Sequence, residues 1–272
     1  MHGRVAMGFI EIDDVDLRYG GQTGADDGTG TLALANASLT VGQNEFVSIV
    51  GPSGCGKSTM LKLISGLVRA TRGRVRVAGE EVRKPLKTVG MAFQNSTLLP
   101  WRNVRDNVLL PLEIVEPYRS QPKSEMAAKR KRADDLLATV GLGDFGGRMP
   151  WQLSGGMQQR AQLCRALIHE PAILLLDEPF GALDAFTREE LWDVLQNLWL
   201  HTPCTVILVT HELREAVYLS DLVHVVSPRP GRVIASNAVP IARPRTLGMT
   251  FQPDFVDLVH ACRHHVSAGN AT

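Results

Sequence analysis

Short apolar runs, broken by glycine, proline and polar clusters, set the rhythm of this 272-residue chain. Residues 45–50, EFVSIV, read as a short β-strand, and 60–64, MLKLI, begin a helical pattern. Upstream, Phe9-Ile-Glu-Ile12 and Leu32-Ala-Leu34 predict a small strand-rich region. Between them, GGQTGADDGTG at 20–30 offers almost nothing to bury and predicts a flexible loop. Residues 74–78 and 88–93 predict two more strands. From 95 to 160 the pattern changes: Pro100, Pro111, Pro117 and Pro122 cut the chain into short pieces, and a helix follows over 124–140. Ser124 is its expected N-cap and Gly141 its stop, and the whole stretch reads as a helical insert. Lys129 to Arg132, followed by Asp134 and Asp135, reads as a solvated helix face.

The second half alternates strand and helix: 172–176, a helix around 187–200, 205–209, then a helix from about 212 to 219. Strands this continuously apolar are buried on both faces, which predicts an α/β fold with a parallel sheet covered by helices. Residues 222–226 and 232–235 flank Pro228-Arg-Pro-Gly231 and predict a closing hairpin. Residues 236–272 read as a polar tail with an amphipathic piece near 255–264, and His264 and His265 as surface residues. No internal repeat is visible.

Composition narrows the function classes. A hydrophobic fraction of 44% suits a globular protein with a real core, and a net charge of +1 leaves no electrostatic footprint for a basic nucleic-acid binder. No apolar run approaches the roughly 18 residues of a membrane-spanning helix, so any membrane role is expected to come through a partner. The N-terminal stretch turns acidic where a signal peptide would be apolar. Cys55, Cys164, Cys204 and Cys262 are isolated, which fits neither a zinc site nor a disulfide framework and predicts a reducing cytosol.

The chemistry gathers where strands end. GPSGCGKST at 51–59 is a strand-to-helix turn of the G-x-x-x-x-G-K-[ST] pattern. Gly51, Gly54 and Gly56 let main-chain N–H groups converge on an anion at a helix N-terminus, Lys57 can reach the β- and γ-phosphates, and Ser58 can ligate Mg²⁺. Cys55 is either a small filler or a thiol made reactive by the positive potential. A second strand ends in Asp177 and Glu178, suited to hold the Mg²⁺ shell and to act as general base toward water. His211 stands at the corresponding end of a third strand and is expected to contact the γ-phosphate. LSGGM at 153–157 is another glycine turn entering a helix, with Ser154 as N-cap: a second anion site with nothing obvious beside it to bind.

With these motifs in order, the chain resembles the nucleotide-binding subunit of an ATP-binding cassette (ABC) transporter over about residues 8–235. GPSGCGKST matches Walker A (Gly51, Ser53, Gly54, Cys55, Gly56, Lys57, Ser58, Thr59), Phe93-Gln94 the Q-loop and LSGGM the signature. ILLLDE matches Walker B, Ala182-Leu-Asp184 the D-loop, and His211 the switch histidine. The resemblance implies a P-loop NTPase with a mainly parallel core, an N-terminal antiparallel β-subdomain, a helical subdomain inserted at about 95–160 and a tail at 236–272. It also answers the puzzle of the second anion site: Ser154, Gly155 and Gly156 would contact the γ-phosphate of ATP held by a second copy, so two copies close head to tail around two ATP molecules. By the same resemblance Tyr19 stacks on adenine, Gln94 senses Mg²⁺ and the attacking water, and Asp184 links the two sites.

LLPW at 98–101, EPFGALDAFTR at 178–188, PRPGR at 228–232 and ARPR at 242–245 are similar to the nitrate, sulfonate and taurine importer group. That group implies two transmembrane permease subunits, a solute-binding protein and a position on the cytoplasmic face of the inner membrane. Met157 and Glu212 depart from the commoner glutamine and aspartate, and the 20–30 stretch is longer than the pattern. Trp101 reads as a groove residue for the transporter or as core. A soluble ABC ATPase acting on nucleic acid or the ribosome, and a small-molecule kinase, are the alternatives. The first usually carries coiled-coil insertions or two cassettes, and the second leaves LSGGM unexplained. The transported solute is not legible.

Overall fold

The computed structural model describes residues 8–20, 30–202 and 204–269, with the side chain of Lys123 left aside. Most of the 20–30 stretch thus lies outside the described residues. The chain forms two compact units, one of residues up to Leu86 together with those from Thr205 onward, the other Lys87–Cys204.

The first unit opens with an antiparallel sheet in the order β2-β1-β4-β5, built from β1 (Ile10–Tyr19), β2 (Thr31–Val41), β4 (Arg72–Val77) and β5 (Glu80–Glu81). Alternating burial along β1, with Ile10, Ile12, Val15 and Leu17 inside, is the period-two pattern of a sheet with one dry face. The unit's second sheet joins β3 (Phe46–Val50), β8 (Thr205–Thr210), β9 (Leu222–Val226) and β10 (Val233–Ala238). Strand β3 lies parallel to both β8 and β9, while β10 returns antiparallel beside β9, so the expected hairpin forms. Every residue of β3 and β8 is buried, as two-faced coverage requires. Helix α1 (Lys57–Ile64) faces β4 and β8, and α6 (Leu213–Leu219) lies on β3, β8 and β9.

The tail carries the amphipathic piece expected near 255–264, in a longer helix packed on the core. It ends in α7 (Pro253–Gly269), 17 residues long, which packs on α6, β9 and β10 and buries Phe255 and Cys262. Arg245, only 2% exposed, donates from Nη1 to the carbonyls of Val217, Tyr218 and Ser220 at 2.8–2.9 Å, satisfying the C-terminal end of α6. Burial pushes its guanidinium down to about 10, with Arg243 adding repulsion.

The second unit pairs β6 (Val89–Phe93) in parallel with β7 (Ile173–Asp177) and surrounds them with helices. These are α2 (Val104–Ile114), α3 (Met126–Thr139), α4 (Gly155–Leu167) and α5 (Ala185–His201), with α4 packing on α2, α3, α5 and β6. The predicted helix at 124–140 exists, but Ser124 does not cap it. A 3₁₀ turn over Lys123–Glu125 runs straight into α3, so the chain is already coiled when the helix starts, and Glu125 takes the N-cap position without a side-chain bond. Gly141, at φ +73°, does stop the helix. Trp101 is 71% exposed, which removes the core reading.

Candidate active site

In the first unit the phosphate loop leaves β3 between two parallel neighbours, Val50 lying opposite Thr210 of β8 and Val225 of β9. The loop therefore starts at the carboxyl edge of the sheet, where the strand ends of an open α/β sheet leave room for ligands. Gly54 and Gly56 take φ +75° and +104°, which an L side chain rarely adopts. Gly51 serves differently: a Cβ there would stand 2.7 Å from the Val226 carbonyl, so close packing against β9 demands glycine. Gly56 is the N-cap of α1 and brings no side chain to its free N–H groups, and no acidic residue sits in the first turn. The positive end of the helix is thus left available to an anion.

Lys57, 4% exposed, folds back so that Nζ donates to the carbonyls of Gly51 and Pro52 at 2.9 and 3.0 Å. Ser58 is half-buried and Thr59 buried, the latter within 3.3 Å of the Tyr19 hydroxyl. That contact brings Tyr19, at the end of β1 and 41% exposed, to the flank of the phosphate loop. Cys55 is buried at 1% exposure, which favours the filler reading over a reagent-accessible thiol. His211 follows β8 directly and lines one cavity with Gly51, Pro52 and Ser53.

In the second unit Phe93 lies opposite Asp177, so Gln94 and Glu178 leave adjacent parallel strands side by side. Both approach Gly181: a Cβ there would meet Gln94 Nε2 at 3.3 Å and Glu178 Oε2 at 3.7 Å. Glu178 has φ +48°, a left-handed conformation uncommon for a side-chain-bearing residue. Two buried glutamines of α4 hold the segment around Gln94. Gln159 Nε2 donates to the Gln94 carbonyl at 2.6 Å, and Gln162 bridges the Phe93 carbonyl at 2.6 Å and the Thr97 N–H at 2.9 Å. Sequence reasoning missed both, although polar residues on the apolar stripe of a helix were a visible signal.

Ser154 caps α4 as expected, its Oγ accepting from the Met157 N–H at 3.3 Å. Gly156 has no space for a side chain, since a Cβ would lie 2.6 Å from Thr187 Cγ2. Asp184 caps α5, accepting from the Thr187 N–H at 3.1 Å, and that bond holds its carboxyl below the usual range. The signature turn, the Asp184 turn and the Gln94–Glu178 pair thus belong to one unit, while the phosphate loop, Tyr19 and His211 belong to the other.

A family model for ABC transporter matches residues 34–181. The aliphatic sulfonates import ATP-binding protein SsuB of Bacillus licheniformis is 44% identical over 216 residues, covering 79% of this chain and 81% of that protein. The taurine import ATP-binding protein TauB of Pseudomonas putida is 41% identical over 228 residues, covering 84% and 82%. Among solved structures, the dimeric bacterial ABC transporter cassette MJ0796 aligns with a TM-score of 0.72 at 32% identity, over 86% of this chain and 100% of that one. The same cassette in a dimeric post-hydrolysis state bound to ADP and phosphate gives 0.71.

Proposed function

This chain belongs to the ABC transporter family, and from that premise we propose that it is the ATP-hydrolysing subunit of an importer for a small solute such as a sulfonate, taurine or nitrate. The observation that carries the reading is the pairing of two glycine turns on one chain, each at an uncapped or serine-capped helix N-terminus: the phosphate loop at α1 and LSGGM at α4. A second copy supplies the missing partner of each, so two ATP molecules are enclosed by a head-to-tail pair. Residues 1–235 form the cassette in this reading, with its helical part at about 95–160 and an extension at 236–272.

Lys57 and the N–H groups of residues 51–59 hold the β- and γ-phosphates, with Ser53, Gly54, Cys55 and Thr59 as loop members, and Tyr19 stacks on the adenine. Glu178 accepts the proton of a water whose oxygen bonds to the γ-phosphorus while the bridge to the β-phosphate breaks, leaving ADP and phosphate. His211 and Gln94 contact the γ-phosphate and orient that water, and Ser154, Gly155 and Gly156 of a second copy close over it. Asp184 ties the two sites together.

Ser58, Asp177 and the side-chain amide oxygen of Gln94 are oxygen donors of the hard type that suits Mg²⁺, and Gln94 directly follows Phe93, the strand partner of Asp177. When bound, the ion neutralises charge developing on the phosphates. No described helix is long and apolar enough to cross a membrane. We assign attachment to the cytoplasmic face of the inner membrane to two permease subunits fed by a solute-binding protein, with exposed Trp101 as a contact. Glu178→Gln should keep ATP binding, lower turnover at least about a hundredfold and accumulate an ATP-bound dimer. Near-normal steady-state hydrolysis by that variant rejects Glu178 as the base.

A further inference from the structure

Helix α7 forms a wall of the cavity that opens at the phosphate loop. The cavity measures about 670 Å³ and runs from Ser53 and His211 to His260 and Arg263. On α7 its lining recurs at Val259, His260, Arg263, Val266 and Ser267; Val259 and Val266 continue the stripe of buried Phe255 and Cys262, and His260, Arg263 and Ser267 lie along its edge. The polar lining is His211, Arg214, His260 and Arg263 together with the single carboxylate of Glu212. Glu212 is already engaged as the cap of α6, accepting from the Arg214 N–H at 3.2 Å. Arg214 is engaged too, donating to Thr250 Oγ1 at 3.0 Å and lying over the Phe251 ring. His260 and Arg263 are exposed and, among the described residues, their side chains make no hydrogen bond or ion pair. Their wall is held in place from behind: Arg245 fastens the tail to the end of α6, and the Tyr218 hydroxyl donates to the Arg245 carbonyl at 2.7 Å.

We infer that this cavity is a binding site for a tetrahedral oxyanion, with His260 and Arg263 as its outer ligands, and that it receives the inorganic phosphate leaving the hydrolysis site. The inference rests on the nucleotide reading above. An anion released beside Ser53 and His211 meets the Arg263 guanidinium and the His260 ring N–H, neither engaged by another side chain, and no unengaged carboxylate in the lining; guanidinium matches phosphate geometry well.

The test is calorimetric titration of inorganic phosphate into the full chain saturated with ADP. Replacing both residues (His260→Gln with Arg263→Gln) should weaken phosphate binding at least about tenfold, and Arg263→Lys should keep more of the affinity than Arg263→Gln. Both side chains are exposed, so retained ADP binding reports an intact fold. Sulfate should compete with phosphate. Methanesulfonate binding in preference to phosphate would identify a cargo site and overturn the product assignment. Unchanged phosphate affinity in the double variant overturns the α7 site, including the case where the double variant instead loses the ATP-bound dimer of the Glu178→Gln background. Failure of the wild-type chain to bind ADP would count against the nucleotide reading itself.

Discussion

Glu178 combines an acidic side chain with φ +48°, a backbone conformation that costs on the order of 1–3 kcal/mol and persists only where surroundings impose it. The Gly181 N–H donates to the Glu178 carbonyl at 3.1 Å, and the missing Gly181 side chain leaves space for Glu178 Oε2 and Gln94 Nε2 together. The position of Gln94 depends in turn on Gln162, which is fully buried and bonded at both ends of its amide. Gln162→Leu keeps the volume but takes partners from the Phe93 carbonyl and the Thr97 N–H. The expected loss is about 2 kcal/mol of stability, read as a lower urea midpoint at unchanged slope, with turnover reduced while ATP affinity holds. Unaltered turnover would show that Gln94 is positioned without α4. Lys57, Asp177, Glu178 and His211 were legible in the sequence because each follows an apolar strand run, and strand ends are where such sheets put chemistry. Gln159 and Gln162 were not, because their partners are carbonyls about 65 residues away in sequence.

Single elements carry their own pH dependence. His224 on β9 is 5% exposed, its Nδ1 lies 2.8 Å from Ser236 Oγ on β10, and burial pushes its pKa down to about 4. An unfolded histidine titrates near 6.5, so between about pH 6.5 and 4 the unfolded chain binds more protons than the folded one. Stability contributed by the neutral ring is present above that window and is lost as pH falls through it. From neutrality to about pH 5 this single group removes on the order of 2 kcal/mol. His224→Gln should flatten that slope whatever it does to stability at neutral pH, and denaturant unfolding at the two pH values checks it. An identical slope in both proteins would place the acid sensitivity elsewhere. Element existence was well anticipated by apolar periodicity, down to the amphipathic piece near 255–264, but the fastening of the tail was not. Arg243 and Arg245 look like solvated charges in sequence, and only the open carbonyls at the end of α6 turn Arg245 into a buried clamp that carries α7.

At the scale of the whole molecule, the proposed composite site makes a demand that no single chain can meet. In a head-to-tail pair each site takes its phosphate loop from one copy and its signature from the other. Lys57→Ala spoils the first contribution, and Ser154→Arg spoils the second by setting a cation and bulk at the N-terminus of α4. Either protein alone then has one defect in every site and should be nearly inactive. In an equal mixture about half of the pairs are hybrids. Each hybrid joins the two defects in one site and leaves the other intact, so about a quarter of wild-type sites return. ATP turnover of the mixture should therefore rise well above that of either component, with a dependence on total protein concentration expected of pairing. A mixture no more active than its parts would mean that both turns serve ATP within one chain, and the second anion site would again lack a ligand.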